Sequence, residues 1–268
     1  MTDTVAVLGV GKMGEALLSG MLRAGKPVGQ LYGTTRSADK AKMLEERYGV
    51  SMVSNADAVA ASDTLLLAVK PQDMGVLLDE IGPHVLPHQL VVSVAAGITT
   101  ATVEAKLPAN TPCVRVMSNT PVHVDEAMSS ISGGSHAEAE HLQRAEEILR
   151  PVGKVIRVPE SQQDAVTALA GSGPAYFYFL VEAMTDAGLF LGLPRNVAHD
   201  VVVQVIKGAA AMLVESGEHP VTLRENVTSP AGTTSSAIRE LESHRVRAAV
   251  LDAIVAARDR SRELATGK

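Results

Sequence analysis

Tryptophan is absent from this 268-residue chain, and aromatic residues make up only 3% of it. Any core must therefore be packed from Ala, Val, Leu, Ile and Met. Cys113 is the single cysteine, which excludes an intrachain disulfide framework and, in its apolar surroundings, predicts a buried small hydrophobe. Basic charge is not in excess. With 24 Lys and Arg against 30 Asp and Glu, the net charge of −6 argues against a nucleic-acid partner, which would need a basic patch. No basic region precedes the apolar start Val5 to Val10, which runs into glycines and so reads as a strand rather than a leader. The longest apolar stretches make poor membrane spans, since Ala165 to Val181 is broken by Gly171-Ser172-Gly173-Pro174. A cytoplasmic protein with no membrane partner is expected.

Constellations for metal or hydrolytic chemistry are also lacking. His84 and His88 flank Pro87 and cannot share a regular helix face, and His136 and His141 are five apart, so all four read as surface histidines and no metal is expected. A nucleophile elbow is missing, which leaves hydrolysis without a starting point. Glu138, Glu140, Glu146 and Glu147 read as a solvated helix face, and His123, Asp125 and Glu126 as polar loop residues.

What is there is an alternation. Short β-rich runs at Val5–Val10, Gln30–Thr34, Thr64–Val69, Leu90–Val94, Cys113–Met117 and Met128–Ser132 alternate, early on, with helix-length segments such as Met13–Ala24 and Ser37–Tyr48. This order implies right-handed crossovers and a largely parallel sheet. From Ser161 onward no strand is evident, and Ala175–Leu191 and Arg195–Glu215 read as helices. The second is apolar around nearly its whole perimeter, through Val201, Val202, Val203, Val205, Ile206, Met212 and Leu213, so a partner subunit is needed to bury it.

Gly9-Val10-Gly11-Lys12-Met13-Gly14 fits G-x-G-x-x-G and stands where that motif has a mechanism, after the first strand and opening the first helix. The glycines serve the turn, the close approach of backbone to a pyrophosphate, and helix–strand packing. The pyrophosphate would rest on the helix N-terminus, at Gly11, Lys12, Met13 and Gly14. An NAD site would carry an acidic residue about 20 positions on. Here that region reads Gly33-Thr34-Thr35-Arg36-Ser37, with no carboxylate and with a guanidinium between hydroxyls, suited to a 2′-phosphate. NADPH is the expected cofactor, with NADH a weaker alternative.

Further motifs follow in order: Ala68-Val69-Lys70-Pro71-Gln72, Ser93-Val94-Ala95-Ala96-Gly97-Ile98, Arg115-Val116-Met117-Ser118-Asn119-Thr120-Pro121, Gly171-Ser172-Gly173-Pro174-Ala175-Tyr176 and Val227-Thr228-Ser229-Pro230-Ala231-Gly232-Thr233-Thr234. Together they resemble the pyrroline-5-carboxylate reductase family over essentially the whole chain. That resemblance implies an α/β fold with an N-terminal Rossmann-like dinucleotide-binding domain, 1–158, followed by an all-helical substrate-binding and dimerisation domain, 159–268. It implies NADPH-dependent reduction of the cyclic imine Δ1-pyrroline-5-carboxylate to L-proline by a homodimer or larger homo-oligomer, in which the nicotinamide meets a substrate loop of the helical dimer. Carried onto this sequence, Thr35, Arg36, Ser37 and Asn55 would lie toward the adenosine end of the cofactor. Ala68, Val69, Lys70, Pro71, Ala95 and Gly97 would lie toward the nicotinamide half. Ser229, Gly232, Thr233 and Thr234 would hold the substrate, with Thr234 at the ring nitrogen as the catalytic candidate. The departures are Ser118, where the family usually has proline, and Ala231 and Ala127, where it often has glycine. Ser118 is expected to loosen the backbone and Ala231 to add a methyl group in the substrate loop.

The residues agree with that chemistry. A Ser-Pro-Ala-Gly-Thr-Thr turn ahead of a helical pattern, Ser235–Leu241, offers N–H groups and hydroxyls to a carboxylate, and the same turn would suit a side-chain-capped helix start. A β-hydroxyacid dehydrogenase would share the N-terminal fingerprint. It would need a lysine after its glycine-rich turn as proton acceptor, and Val158 to Pro194 contains no Lys or Arg. A non-catalytic NADPH-binding regulator would show the cofactor motif without turnover.

Overall fold

The computed structural model describes residues 3–265. Among these, the chain separates into two compact units. One runs to Ser172 and takes back the C-terminal residues from Ala257, and the other is Gly173–Ala256.

The first unit is built on one eight-stranded sheet of order β3-β2-β1-β4-β5-β6-β7-β8. Its strands are β1 Val5–Leu8, β2 Leu31–Thr34, β3 Ser51–Met52, β4 Thr64–Leu67, β5 Leu90–Ser93, β6 Cys113–Met117, β7 Ala127–Gly133 and β8 Gly153–Arg157. All neighbours pair in parallel except β6 and β7, where Val116 faces Ile131 in antiparallel register. The helices of this unit are α1 Lys12–Arg23, α2 Ala38–Tyr48, α3 Asn55–Ala60, α4 Met74–Ile81, α5 Thr100–Glu104, α6 Ala139–Leu149 and α7 Gln163–Val166.

Period-two alternation gives the sheet two buried faces, so its central strands are apolar on both sides. Val5, Val7, Leu66, Val92 and Val114 pack with Leu17, Leu18 and Met21 of α1 and Ile148 and Leu149 of α6. Ala6, Leu8, Leu65, Leu67, Val91 and Cys113 pack with Val59 of α3 and Leu77, Leu78 and Ile81 of α4. Burial pushes the Cys113 thiol up to about 12, helped by the nearby Glu104 and Glu160 charges, so it is a core atom rather than a nucleophile.

Two expectations fail in this unit. Glu146 is not a solvated residue of α6: it is buried and holds Arg150 at 2.8 Å and also Arg157. Those guanidiniums, first among them Arg157, keep its carboxyl below the usual carboxylate range against the cost of burial. His141 is part-buried rather than on the surface. Its Nδ1 accepts from the Glu138 N–H at 2.9 Å and closes the first turn of α6.

The second unit is helical: α8 Gly173–Phe190, α9 Arg195–Ser216, α10 Pro220–Asn226, α11 Thr233–Ser243 and α12 Val246–Ala265, the last turns of α12 belonging to the first unit. Helices α8 and α9 cross closely enough that a β-carbon on Gly188 would stand 2.7 Å from that of Ala198. Within this unit the chain buries Ala198 and Val202 but leaves Phe190 91% exposed, Val205 54% and Val201 51%. By length and composition α9 could cross a membrane. Asp200 and Lys207 inside it would be costly in hydrocarbon. A mostly uncovered apolar perimeter is what a subunit interface requires.

Candidate functional site

The strand order reverses direction at β1, and the crevice beyond the carboxyl ends of β1 and β4 is where such sheets bind dinucleotides. A cleft of about 550 Å³ lies there. Gly9 adopts φ +86, and a β-carbon on it would meet Val69 Cγ1 at 2.4 Å, so only glycine makes this turn. Its N–H donates to Thr34 Oγ1 at 3.0 Å, fastening the turn to β2. Gly11 precedes α1 with no side-chain cap, and a β-carbon there would reach nothing nearer than the Gly9 carbonyl at 4.0 Å. That open floor and the free first-turn N–H groups of α1 fit a pyrophosphate. Gly14 is buried against Val7 and Ala68.

Of the expected cofactor residues, Gly9, Gly11, Thr35, Arg36, Asn55, Ala68, Val69 and Lys70 line this cleft. Lys12 is exposed at the start of α1, and Met13 packs against the core. Ser37 caps α2, its hydroxyl accepting from the Lys40 N–H at 3.3 Å, so its role in this structure is to start a helix. Pro71 opens a 3-10 turn leading into α4. Ala95 and Gly97 follow β5, with Gly97 at φ +74, and are not among the residues lining the cleft.

Sequence reasoning missed Thr34, Lys40, Ser54, Asp73 and Glu80, which also line it. Lys40 had a signal: it stands four positions beyond Arg36, in the first turn of α2, and adds a second cation to the same cleft. Asp73 had none, being 37 positions from Arg36, yet it receives the guanidinium at 3.2 Å. Asn55 donates to Glu80 at 3.0 Å.

In the helical unit, Gly232 caps α11 without any side-chain hydrogen bond, so neither Ser nor Thr fills the helix start. The Gly232 N–H is turned back onto the Ser229 carbonyl at 3.1 Å. Thr233 and Thr234 are the first residues of α11, and the Ser235 hydroxyl bonds the Gly232 carbonyl at 2.9 Å. The result is an uncapped helix N-terminus flanked by hydroxyls, without a carboxylate among the residues of the turn.

A pyrroline-5-carboxylate reductase from Corynebacterium melassecola is 43% identical over 265 residues, covering 97% of this chain and 98% of that protein. The chain belongs to the pyrroline-5-carboxylate reductase family. The family model for pyrroline-5-carboxylate reductase dimerisation matches residues 160–264, and an NADP oxidoreductase, coenzyme F420-dependent, model matches 4–97. A solved pyrroline-5-carboxylate reductase from Coxiella burnetii superposes with TM-score 0.94 at 34% identity, covering 98% of this chain and 99% of that one. The Plasmodium falciparum pyrroline carboxylate reductase with NADP bound superposes at 0.86 with 28% identity, covering 98% of each chain. The family's dimerisation segment coincides with the helices whose apolar faces the single chain leaves uncovered, which makes this region an oligomerisation element.

Ser118 and Ala231, the expected departures in the motifs, have defined surroundings in the structure. The Ser118 hydroxyl is bonded to Ser129 Oγ at 2.9 Å, and the adjacent Asn119 holds the Met128 N–H at 2.9 Å and the Ala170 carbonyl at 3.0 Å. Ala231 adopts φ +56, a left-handed conformation that glycine occupies without cost.

Proposed function

We propose that the uncapped start of α11 is the carboxylate site of the imine substrate, with Ser229, Gly232, Thr233 and Thr234 as its elements. The chain is a reductase of the C=N bond. It converts Δ1-pyrroline-5-carboxylate to L-proline with NADPH, and it works in the cytoplasm as a homo-oligomer of interlocked dimers. The bound cofactor supplies the hydride. The carbon of the C=N bond accepts that hydride, the ring nitrogen gains a proton, and NADP+ is the other product.

The chain's own residues bind and orient. The glycine turn and α1 hold the pyrophosphate, Arg36 and Lys40 attract the 2′-phosphate, and the N–H groups of the first turn of α11 neutralise the substrate carboxylate. Thr234 orients the ring nitrogen through its hydroxyl, a group too weakly acidic to protonate the nitrogen unaided, so the proton comes with the substrate or through water.

The observation that carries this reading is the Gly232 helix start. The Gly232 N-cap has no side chain to close the helix start, so the first-turn N–H groups of α11, set among hydroxyl residues, stay open to a carboxylate as those of α1 after Gly11 stay open to a phosphate. The test is NADPH oxidation with pyrroline-5-carboxylate, beside succinic semialdehyde and a 3-hydroxyacid with NADP+. Turnover of the imine alone is expected. Turnover of the hydroxyacid alone would make the chain a β-hydroxyacid dehydrogenase, and cofactor binding without any turnover would make it a regulator.

A further inference from the structure

The cofactor cleft contains an anion of its own. Arg36 follows β2 and Asp73 closes the turn after β4, and these two strands flank β1 and its glycine turn in the sheet. The two side chains therefore meet across the crevice. Arg36 Nη2 donates to Asp73 Oδ2 at 3.2 Å and Nη1 to Oδ1 at 3.5 Å, a two-pronged pair of the geometry a phosphate would use. The guanidinium side chain is 88% exposed, whereas the carboxylate side chain is 31% exposed, so the cation is the partner more open to an incoming ligand.

We infer that Asp73 is a specificity-determining residue: its carboxylate competes with the 2′-phosphate of NADPH for Arg36, and so narrows the difference in affinity between NADPH and NADH. This rests on the NADPH reading of the cleft and concerns only how strongly the extra phosphate is rewarded. Three features support it. An exposed ion pair is a weak contact, so a dianion can break it. The broken pair leaves Asp73 a second position of low energy, because it lies in the first turns of a helical segment that begins at Pro71 and continues through α4, where backbone N–H groups favour a negative charge. The residual Asp73 charge then lies beside the phosphate and weakens its binding. NADH, which has a hydroxyl at that position, meets no such competition, and the carboxylate is an acceptor for that hydroxyl.

The experiment is equilibrium binding of NADPH, NADH and 2′,5′-ADP to the full-length oligomer, for the wild type, Asp73→Asn, Asp73→Ser, Arg36→Ala and Arg36→Ala/Asp73→Asn. Both Asp73 variants should bind NADPH and 2′,5′-ADP about threefold to fivefold more tightly, the range an exposed ion pair supports, and NADH no more tightly than the wild type. The gain should be clearly smaller in the Arg36→Ala background, where the shared guanidinium is gone and only the direct repulsion between Asp73 and the phosphate remains. Unchanged or weaker 2′,5′-ADP binding by Asp73→Asn would overturn the inference, as would an equal gain with and without Arg36. Because 2′,5′-ADP has no nicotinamide, its binding reports on Asp73 whether or not the chain reduces an imine; a chain that fails the turnover assay and passes this one faults the function alone.

Discussion

The hydroxyl oxygen of Ser229 lies 2.3 Å from where a β-carbon on Gly232 would stand. No real β-carbon tolerates that separation, so a side chain at position 232 requires the Ser229 hydroxyl to move. Gly232→Ala should push Ser229 aside, and with it the hydroxyl proposed to hold the substrate. The expected result is a KM for the imine raised at least about tenfold, equivalent to ~1.4 kcal/mol of binding, with the Kd for NADPH unchanged. Saturation kinetics beside a cofactor titration checks this, and an unchanged KM would remove Ser229 from the site.

Ala231, next to it, makes the opposite prediction. At φ +56 its β-carbon crowds the backbone, a strain of roughly 1–2 kcal/mol. Ala231→Gly relieves it and gives back part of the gain through the greater freedom of glycine in the unfolded chain. A net stabilisation of about 0.5–1 kcal/mol in urea denaturation is expected, with the substrate turn unchanged in shape.

Glu160 ties together parts of the first unit that are distant in sequence. Its carboxylate accepts from the Thr100 N–H at 2.8 Å and the Thr100 hydroxyl at 2.6 Å, and pairs with the buried Arg115 at 3.0 Å. Partial burial alone would raise this carboxyl, but the two Thr100 bonds and the guanidinium outweigh it and hold it below the usual carboxylate range. A depressed carboxyl contributes stability above its unfolded pKa and loses it as pH falls through the folded value. Glu160→Gln should therefore cost about 1–3 kcal/mol near neutral pH. The gap in melting temperature to the wild type should close as pH falls below the ordinary Glu value of 4.5. A gap that persists undiminished in acid would mean that the packing of the side chain matters, not its charge.

The sheet was readable where strands are buried on both faces: β1, β4, β5 and β6 fall within one or two residues of the apolar runs, and β2 and β7 within one. Strand β3 is two residues, Ser51–Met52, too short for any period to register, and β8, Gly-Lys-Val-Ile-Arg, has polar ends and mostly exposed side chains. The glycine turn was legible because spacing and backbone shape are local properties. The Arg36–Asp73 and Arg115–Glu160 pairs were not, since the crossovers that join them appear only when the strands are ordered. For α9, composition revealed the apolar perimeter but not which side the chain covers for itself. Val202, a natural choice for testing an interface, is buried within the helical unit.

That distinction decides how the interface should be probed. Val202→Asp would damage the folded subunit itself. Val201 and Val205, about half exposed, lie on the uncovered side. Val201→Glu/Val205→Glu should keep the helical content and shift the oligomer toward smaller species, since buried unpaired charges oppose association. Light scattering after size exclusion, read beside circular dichroism, checks both; an intact oligomer would place the interface on another face.

Thr234 carries the sharpest prediction about the chemistry. An imine is most electrophilic when its nitrogen is protonated or hydrogen-bonded, and the turn that holds Thr234 has no histidine or carboxylate to do this. Thr234 is the second residue of α11, and no side-chain cap engages the helix start, so its hydroxyl is not consumed in closing the helix. Thr234→Val keeps the shape and removes the hydroxyl, while Thr234→Ser keeps the hydroxyl and removes the methyl. If the hydroxyl orients the ring nitrogen, the Val variant should lose at least about tenfold in kcat/KM, or ~1.4 kcal/mol of transition-state stabilisation, and the Ser variant should retain most activity. Cofactor affinity should not move in either. A residue that only packs the helix start would reverse the order, because Val preserves the packing that Ser gives up. Near-wild-type turnover by the Val variant would thus assign the proton to bound water or to a substrate that arrives protonated.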